Sequence, residues 1–477
     1  MEARSASHSR RSVFIQVAVG LLANLVAIAP GMNLGFSAVA LPAMQSANNT
    51  EQVTDDEASW IASLASIATP IGCLISGPLL DRWGRRMALL SVNVPGLAGW
   101  IVLATANAGN DFLIQIYVGR LLTGLSTGMA SVPATVYMAE AADQALRGML
   151  VTWPSIFMAL GMMLVYLLGF CFPDDWRLVA ALCGIFPLLS AAVCWLLPES
   201  PVWLTSRGRV LEAETSLRRL RGLGARDELP RRELDTLVAK PPTAWSALSP
   251  GAVLRPEVWK PLVIMNGFFA FQQLAGVFVV VFYAVDVARE AGVASDGYLV
   301  SVMIGATRLV VTVVVSYASR RVGRRPLALT SGVGMALCMG ALAGFLFLSP
   351  DTRTSLDWLP ATALVLYILT STLGFLTLPF AMIGEVFPAR VRGLASGVTT
   401  CLAYLCSFCM IKAYPLMKRS LERSGVFCFF GAAALLGTAF VWWCLPETQG
   451  KTLEQVEDYF VGRRRSSTSE ASEMAPR

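Results

Sequence analysis

The chain has 477 residues, of which 55% are hydrophobic and 15% charged, with a formal net charge of +6. That balance excludes a soluble domain with a charged shell and places the polypeptide in a lipid bilayer. Its single histidine, His8, lies in the N-terminal tail without a nucleophile and base pair, a metal-ligand cluster or a phosphate-cradling glycine loop beside it, which argues against an enzyme, a metal or a cofactor.

Stretches of about 20 apolar residues, enough to cross a hydrocarbon core of about 30 Å, fall at roughly 14–41, 58–80, 87–107, 112–137, 149–170 and 177–197, then at roughly 259–288, 297–318, 327–348, 359–384, 393–416 and 425–445. The expected fold is an all-α membrane protein with twelve transmembrane helices in two six-helix halves. The divisions are an N-terminal tail (1–13), a first half (14–197), short linker helices (198–258), a second half (259–445) and a C-terminal tail (446–477). The first span is too long, and too poorly followed by small residues, for a cleavable signal peptide, so it is read as its own anchor.

Basic residues set the orientation. Arg4, Arg10 and Arg11 precede span 1, Arg82, Arg85 and Arg86 follow span 2, and Arg320, Arg321, Arg324 and Arg325 follow span 8, while the first loop carries Glu51, Asp55, Asp56 and Glu57. Basic loops are retained in the cytoplasm, so both termini are expected there. Asn48-Asn49-Thr50, in the acidic outer loop, is a glycosylation sequon with Asn48 as the acceptor. Nearly all ten cysteines, including Cys73, Cys183, Cys338 and Cys406, fall inside apolar spans and read as reduced packing residues.

In span 4, Gly119, Gly124 and Gly128 suit close helix packing. Arg120 shares that span, with Thr123, Thr127 and Ser131 down its face. After span 6 the interval mixes signs, with Leu211, Leu217 and Leu220 among Glu212, Glu214, Arg218, Arg219 and Arg221, a pattern of short amphipathic surface helices. The tail beyond Arg463, Arg464 and Arg465 has no apolar periodicity and is expected to be disordered.

Two copies of one signature, GPLLDRWGRR at 77–86 and SYASRRVGRR at 316–325, stand about 240 residues apart, the mark of internal doubling. Glu140 to Arg147 is repeated by Glu385 to Arg392, and Pro198-Glu199-Ser200 by Pro446-Glu447-Thr448. Two halves related by an axis along the membrane normal would give this pattern. The charged residues, Asp81, Arg82, Arg85, Arg86, Glu140, Arg147 and Glu199 with Arg320, Arg321, Arg324, Arg325, Glu385, Arg392 and Glu447, are read as a cytoplasmic gate that braces the halves when the inside is closed. The plainer alternative makes the arginines topology anchors only.

Span 7 carries adjacent amides, Gln272 and Gln273. At helical spacing Gln272, Gly276, Val279 and Tyr283 share a face that can line a central cavity, and amides inside an apolar span need partners, either a molecule in that cavity or another helix. Span 8 carries Arg308 with Ser301 and Thr312 on its face; an intramembrane arginine is costly and is expected to line a wet cavity.

GPLLDRWGRR, GRLLTGLSTG, PESPVWL, FQQLAG, SRRVGRR, GEVFPARVRG and PETQGKTLEQVE together resemble the sugar porter family of the major facilitator superfamily, over nearly the whole chain; GFSAVALP at 35–42 is similar to its insect trehalose transporter branch. The resemblance implies alternating access, a gate at the charged motifs and sugar contact through Gln272 and Gln273. Several family pocket positions are altered: Phe278 stands for an asparagine, Phe380 for a tryptophan, Ser155 for a glutamine, Ala403 and Ser407 for asparagines. The candidate substrate set is therefore Gln272, Gln273, Gly276, Phe278, Tyr283, Arg308, Phe380, Ser155 and Ser407. Proton symporters of the family carry an acid on helix 1 opposite an arginine on helix 4; here Ser37 faces that role opposite Arg120, and span 1 holds no Asp or Glu.

The expected function is facilitated transport of a hexose or a disaccharide such as trehalose. A proton-coupled sugar or polyol symporter is the alternative within transport, and a non-transporting sugar sensor the alternative outside it. The expected partners are the sugar and the lipid bilayer, with no nucleic acid and a monomer as the working unit, in the plasma membrane or an intracellular vesicle membrane.

Overall fold

The computed structural model describes residues 2–46, 52–107, 109, 111–223, 255–293, 296–318, 322–348, 353, 355–388, 391–449, 451 and 453–461. Asn48, Arg320, Arg321, the linker from 224 to 254 and the tail beyond 461 lie outside them, as does the side chain of Arg392.

The first six spans are helical, with short interruptions inside spans 1, 4 and 5. Span 1 runs through Glu2–Asn24, a tight turn at Leu25–Ala27 and Ile28–Met44. Every residue of Ile28–Met44 is buried, so this segment is apolar all round rather than striped. Span 2, Asp55–Trp83, starts at a capping box in which Thr54 and Glu57 satisfy each other's backbone N–H groups. Span 3 is Arg85–Ala104, span 4 is Phe112–Ala130 with Pro133–Ala141, span 5 is Gln144–Leu150 with Trp153–Cys171, and span 6 is Trp176–Cys194.

The last six spans are more broken. Span 7 comes in three pieces, Pro256–Leu274, Val277–Phe282 and Ala284–Glu290. Gly276, at φ +84°, makes the first break, a left-handed conformation that glycine adopts without steric cost. This corrects the expectation that Gln272, Gly276, Val279 and Tyr283 share one continuous helical face: the register changes at Gly276 and again at Tyr283. Spans 8 and 9 are Gly297–Ala318 and Arg324–Phe347, and span 10 is split into Leu359–Leu373 and Leu378–Val386. Spans 11 and 12 form one trace, Arg392–Cys444, kinked at Glu422 (φ 57°, ψ 176°), where the sequence suggested a separating loop.

Small residues let the helices touch at backbone level. A Cβ on Gly124 or Gly128 would strike the carbonyl oxygens of Ala65 and Thr69 in span 2, so spans 2 and 4 pack against each other through those glycines. Leu196, Leu337, Phe347 and Trp443 point outward and are largely exposed, as a lipid-facing surface requires. Spans of the first set pack on the last set mainly as span 2 against span 11 and span 5 against span 8. Two ion pairs join the sets at the acidic-loop end, Lys412 to Asp56 and Arg419 to Asp55, each at 2.8 Å. After span 6, helices Pro201–Ser206 and Val210–Arg221 fold back on the first set, where Trp203 Nε1 and Arg207 donate to the Asp81 carbonyl at 3.0 and 2.5 Å.

Candidate functional site

The doubled signature builds one motif twice. Arg85 grips Glu140 with two donors, Nε at 2.8 Å and Nη2 at 2.7 Å, and Arg324 grips Glu385 the same way at 3.3 and 2.7 Å. Planar two-point pairing of this kind is specific to guanidinium and carboxylate. Ser200 donates to Glu140 at 2.5 Å and Thr448 donates to Glu385 at 2.7 Å, so a hydroxyl from the PES and PET motifs completes each carboxylate.

Glu199 and Glu447 have a different job from the one expected of them. Among the described residues their partners are backbone N–H groups. Glu199 receives the N–H groups of Arg85 (2.9 Å) and Arg86 (3.1 Å), and Glu447 those of Arg324 (2.9 Å) and Arg325 (3.1 Å). Each carboxylate therefore sits on the N-terminus of a span, where unpaired N–H groups and the helix dipole favour negative charge. Burial opposes ionisation of Glu447, but the N–H donors of Gln449, Arg324, Arg325 and Thr448 outweigh it and hold the carboxyl below the usual glutamate range.

The neighbouring arginines stack on tryptophans, Arg86 over Trp195 at 5.2 Å and Arg325 over Trp442 at 5.4 Å. Neither tryptophan was singled out by the sequence reading, although their spacing matches the repeat. The remaining charged candidates are peripheral: Asp81 stands 3.9 Å from Arg85, Arg82 is exposed, and Arg147 donates to the Ala142 carbonyl rather than to an acid. None of the ion pairs among the described residues at this end crosses from the first six spans to the last six.

In the interior, the Gln272 amide nitrogen donates to the Phe375 and Leu376 carbonyls at 2.5 and 3.2 Å, where span 10 is broken. Gln272 therefore works as a staple between two interrupted helices. Tyr367 does the same for the break in span 7, donating to the Ala275 carbonyl at 2.6 Å. Gln273 is also buried, and among the described residues its carbonyl oxygen, the Gln272 carbonyl oxygen and the Ser407 hydroxyl have no hydrogen-bond partner. Buried polar groups are nearly always paired, so these three atoms call for partners that the described residues do not supply.

Tyr283 reaches the Ile411 carbonyl at 3.4 Å, one turn beyond Ser407, and packs on Tyr414. Phe278 is buried against Phe282; Phe380, partly exposed, stands between Phe269 (4.9 Å) and Tyr404 (6.4 Å). Ser155 is exposed near the start of span 5 and is not brought to the glutamines by any bond.

Arg120 is completely buried. Its Nε donates to the Ile61 carbonyl (2.9 Å), Nη1 to Asn33 Oδ1 (2.6 Å) and Nη2 to the Ser37 hydroxyl (2.8 Å), so all its partners are neutral. Asn33, which the sequence reading passed over, also donates to Thr127 at 2.8 Å and ties span 1 to span 4.

Residues 19–460 match the model of the sugar (and other) transporter family. The chain belongs to that family. It is 32% identical over 468 residues to the facilitated trehalose transporter Tret1 of Culex quinquefasciatus, covering 97% of this chain and 89% of that one. The Tret1 of Aedes aegypti is likewise 32% identical over 466 residues, but this chain spans only 57% of that protein's length. Among solved structures, the inward-open xylose transporter XylE of E. coli superposes with a TM-score of 0.77 over 93% of this chain and 99% of that one, at 22% identity, and so shares the major facilitator fold of this family member.

Proposed function

We propose that this family member is a facilitative sugar transporter, a uniporter that works by alternating access and carries a hexose or a disaccharide such as trehalose. The observation that carries the reading is the set of unpaired polar atoms on Gln272, Gln273 and Ser407 beside two interrupted spans. Amides and hydroxyls are the groups that exchange hydrogen bonds with sugar hydroxyls, and broken spans open backbone groups toward a central cavity. The names of the Tret1 relatives support the same class of cargo.

Uniport is favoured over proton symport by the neutral surroundings of Arg120. A proton carrier needs a carboxylate that exchanges its charge with an arginine, and Ser37 occupies the place beside this one. The arginine clusters are assigned to the cytoplasmic side, with both termini, in the plasma membrane. There they brace the two halves when that side closes and remain within each half when it opens.

Uptake of radiolabelled glucose, fructose, trehalose and inositol into proteoliposomes, with and without a pH gradient, tests the proposal. Downhill uptake of at least one sugar without the gradient is expected. Binding without uptake would make the protein a sensor, and strict dependence on the gradient would make it a symporter.

A further inference from the structure

Arg308 lies near the midpoint of span 8, Gly297–Ala318, and is buried. Among the described residues its guanidinium has one hydrogen-bond partner, the Met162 sulfur of span 5 at 2.9 Å. A thioether is a weak acceptor, and arginine keeps its proton in proteins, so the charge is fixed and almost bare. The titratable groups that act on it are the phenols of Tyr166 and Tyr404, both ordinarily neutral.

An intramembrane charge is ordinarily paired, and among the described residues no carboxylate pairs with this one. The carboxylates of spans 7 and 8, Asp286, Glu290 and Asp296, cluster at the acidic-loop end, and Glu290 is already occupied by Lys418 (2.5 Å) and Arg423 (2.9 Å). Arg120, the other mid-span arginine, spends its donors on neutral oxygens. Among the described residues Arg308 is thus a buried mid-span charge with neither a counter-charge nor a strong acceptor, an arrangement that is costly unless something at the site offsets it.

The surroundings say where that something sits. Tyr404 is near enough to Arg308 to act on it electrostatically, the Tyr404 and Phe380 rings stand 6.4 Å apart, and Phe380 packs edge-on against Phe269 in span 7, one turn before Gln272 and Gln273. The aromatic series Tyr404, Phe380 and Phe269 therefore leads from the neighbourhood of Arg308 to the helix that carries the unpaired amide oxygens. Such a series suits the C–H face of a sugar ring, with hydroxyls toward the glutamines and a charged substituent toward Arg308.

We infer that Arg308 is a specificity-determining residue that receives an anionic substituent of the cargo, so that the substrate class includes sugar acids bearing a carboxylate. This rests on the reading of the chain as a sugar carrier. Uniport of a monoanion moves one net negative charge per cycle, so its rate follows the membrane potential.

Full-length protein in proteoliposomes, with potassium and valinomycin setting the potential, is assayed with radiolabelled glucuronate and glucose as probes. Glucuronate uptake that is faster with the interior positive is expected, and Arg308→Gln should lower the glucuronate-to-glucose uptake ratio at least tenfold, with Arg308→Lys between the two. Because the Gln variant could fail to fold, heat stability in detergent is measured alongside: glucuronate should protect the wild type and Arg308→Lys more than Arg308→Gln. Glucose uptake with glucuronate neither carried nor competing, or a ratio unchanged in folded Arg308→Gln, overturns the inference and leaves the carrier reading standing. Failure to carry any sugar, neutral or acidic, overturns both.

Discussion

Lys412 Nζ stands 2.8 Å from Asp56 Oδ1 and 2.7 Å from the Ser59 hydroxyl, over the Trp60 ring at 4.2 Å, and so ties span 11 to the first turns of span 2. With Arg419 on Asp55, this is where, among the described residues, ion pairs join the first six spans to the last six, and it lies at the end opposite the doubled arginine clusters. These contacts tie spans 2 and 11 together at the acidic-loop end.

Asp56 is largely exposed, and exposed pairs contribute about 0.2–1 kcal/mol. Asp56→Asn should accordingly shift the balance toward the state open at that end by no more than roughly fivefold. The expected readout is a modest rise in apparent affinity for external sugar, and adding Lys412→Ala should bring little further change.

Glu140→Gln should act much more strongly. Its partner Arg85 is only 13% exposed and Glu140 16% exposed, so hydrogen bonds to a charged group worth about 1.5–3 kcal/mol are at stake. Uptake is expected to fall roughly tenfold or more at unchanged surface level. Arg85→Lys should not restore it, because an ammonium cannot reproduce the two-point grip, and Glu385→Gln should repeat the phenotype.

The two copies differ at one backbone position, which gives an asymmetric prediction. A Cβ on Gly84 or Gly323 would lie 2.5 Å from an oxygen of Glu199 or Glu447 respectively, but Gly84 has φ +94° while Gly323 has φ −56°. Gly84→Ala carries backbone strain of about 1–3 kcal/mol in addition to the clash. It should lower the melting temperature in detergent more than Gly323→Ala does.

Glu447 predicts a pH response. Its carboxyl is held below the usual range, so the stability it contributes is fully present above the unfolded-state pKa and is lost only as pH falls through the lower folded value. Thermal stability should therefore show no step from this group between pH 5 and 7, by the ordinary glutamate pKa of about 4.3. Glu447→Gln should remove the contribution at neutral pH.

The adjacent glutamines should separate by phenotype. Gln273→Ala is expected to abolish sugar uptake with little loss of stability, since its carbonyl oxygen has no protein partner. Gln272→Ala should also destabilise the protein, by about 1–3 kcal/mol, because it leaves the Phe375 and Leu376 carbonyls without their donor. Surface expression, melting temperature and uptake measured together distinguish the two.

Twelve spans, the doubled signature and the identity of the charged residues are legible in the sequence, because hydrophobic length and positional repetition are properties of the chain itself. The amide pair is legible too, since two glutamines in an apolar stretch are conspicuous wherever they point. Trp195 and Trp442 were missed because a tryptophan near a span end is ordinary, and only the stacked arginines give it a role. Asn33 was missed because nothing in its neighbourhood announces Arg120, 87 residues away.

What the tertiary structure alone decided is which atoms meet. The sequence determined that acids and arginines would be present in matched sets; folding decided that Glu140 and Glu385 take the guanidinium groups while Glu199 and Glu447 take backbone N–H groups. Likewise the order of residues made Gln272 and Gln273 equivalent, and the breaks in spans 7 and 10 made them different. Burial and breaks in helical register arise only when distant spans pack, and they settle which polar atoms find partners within the chain.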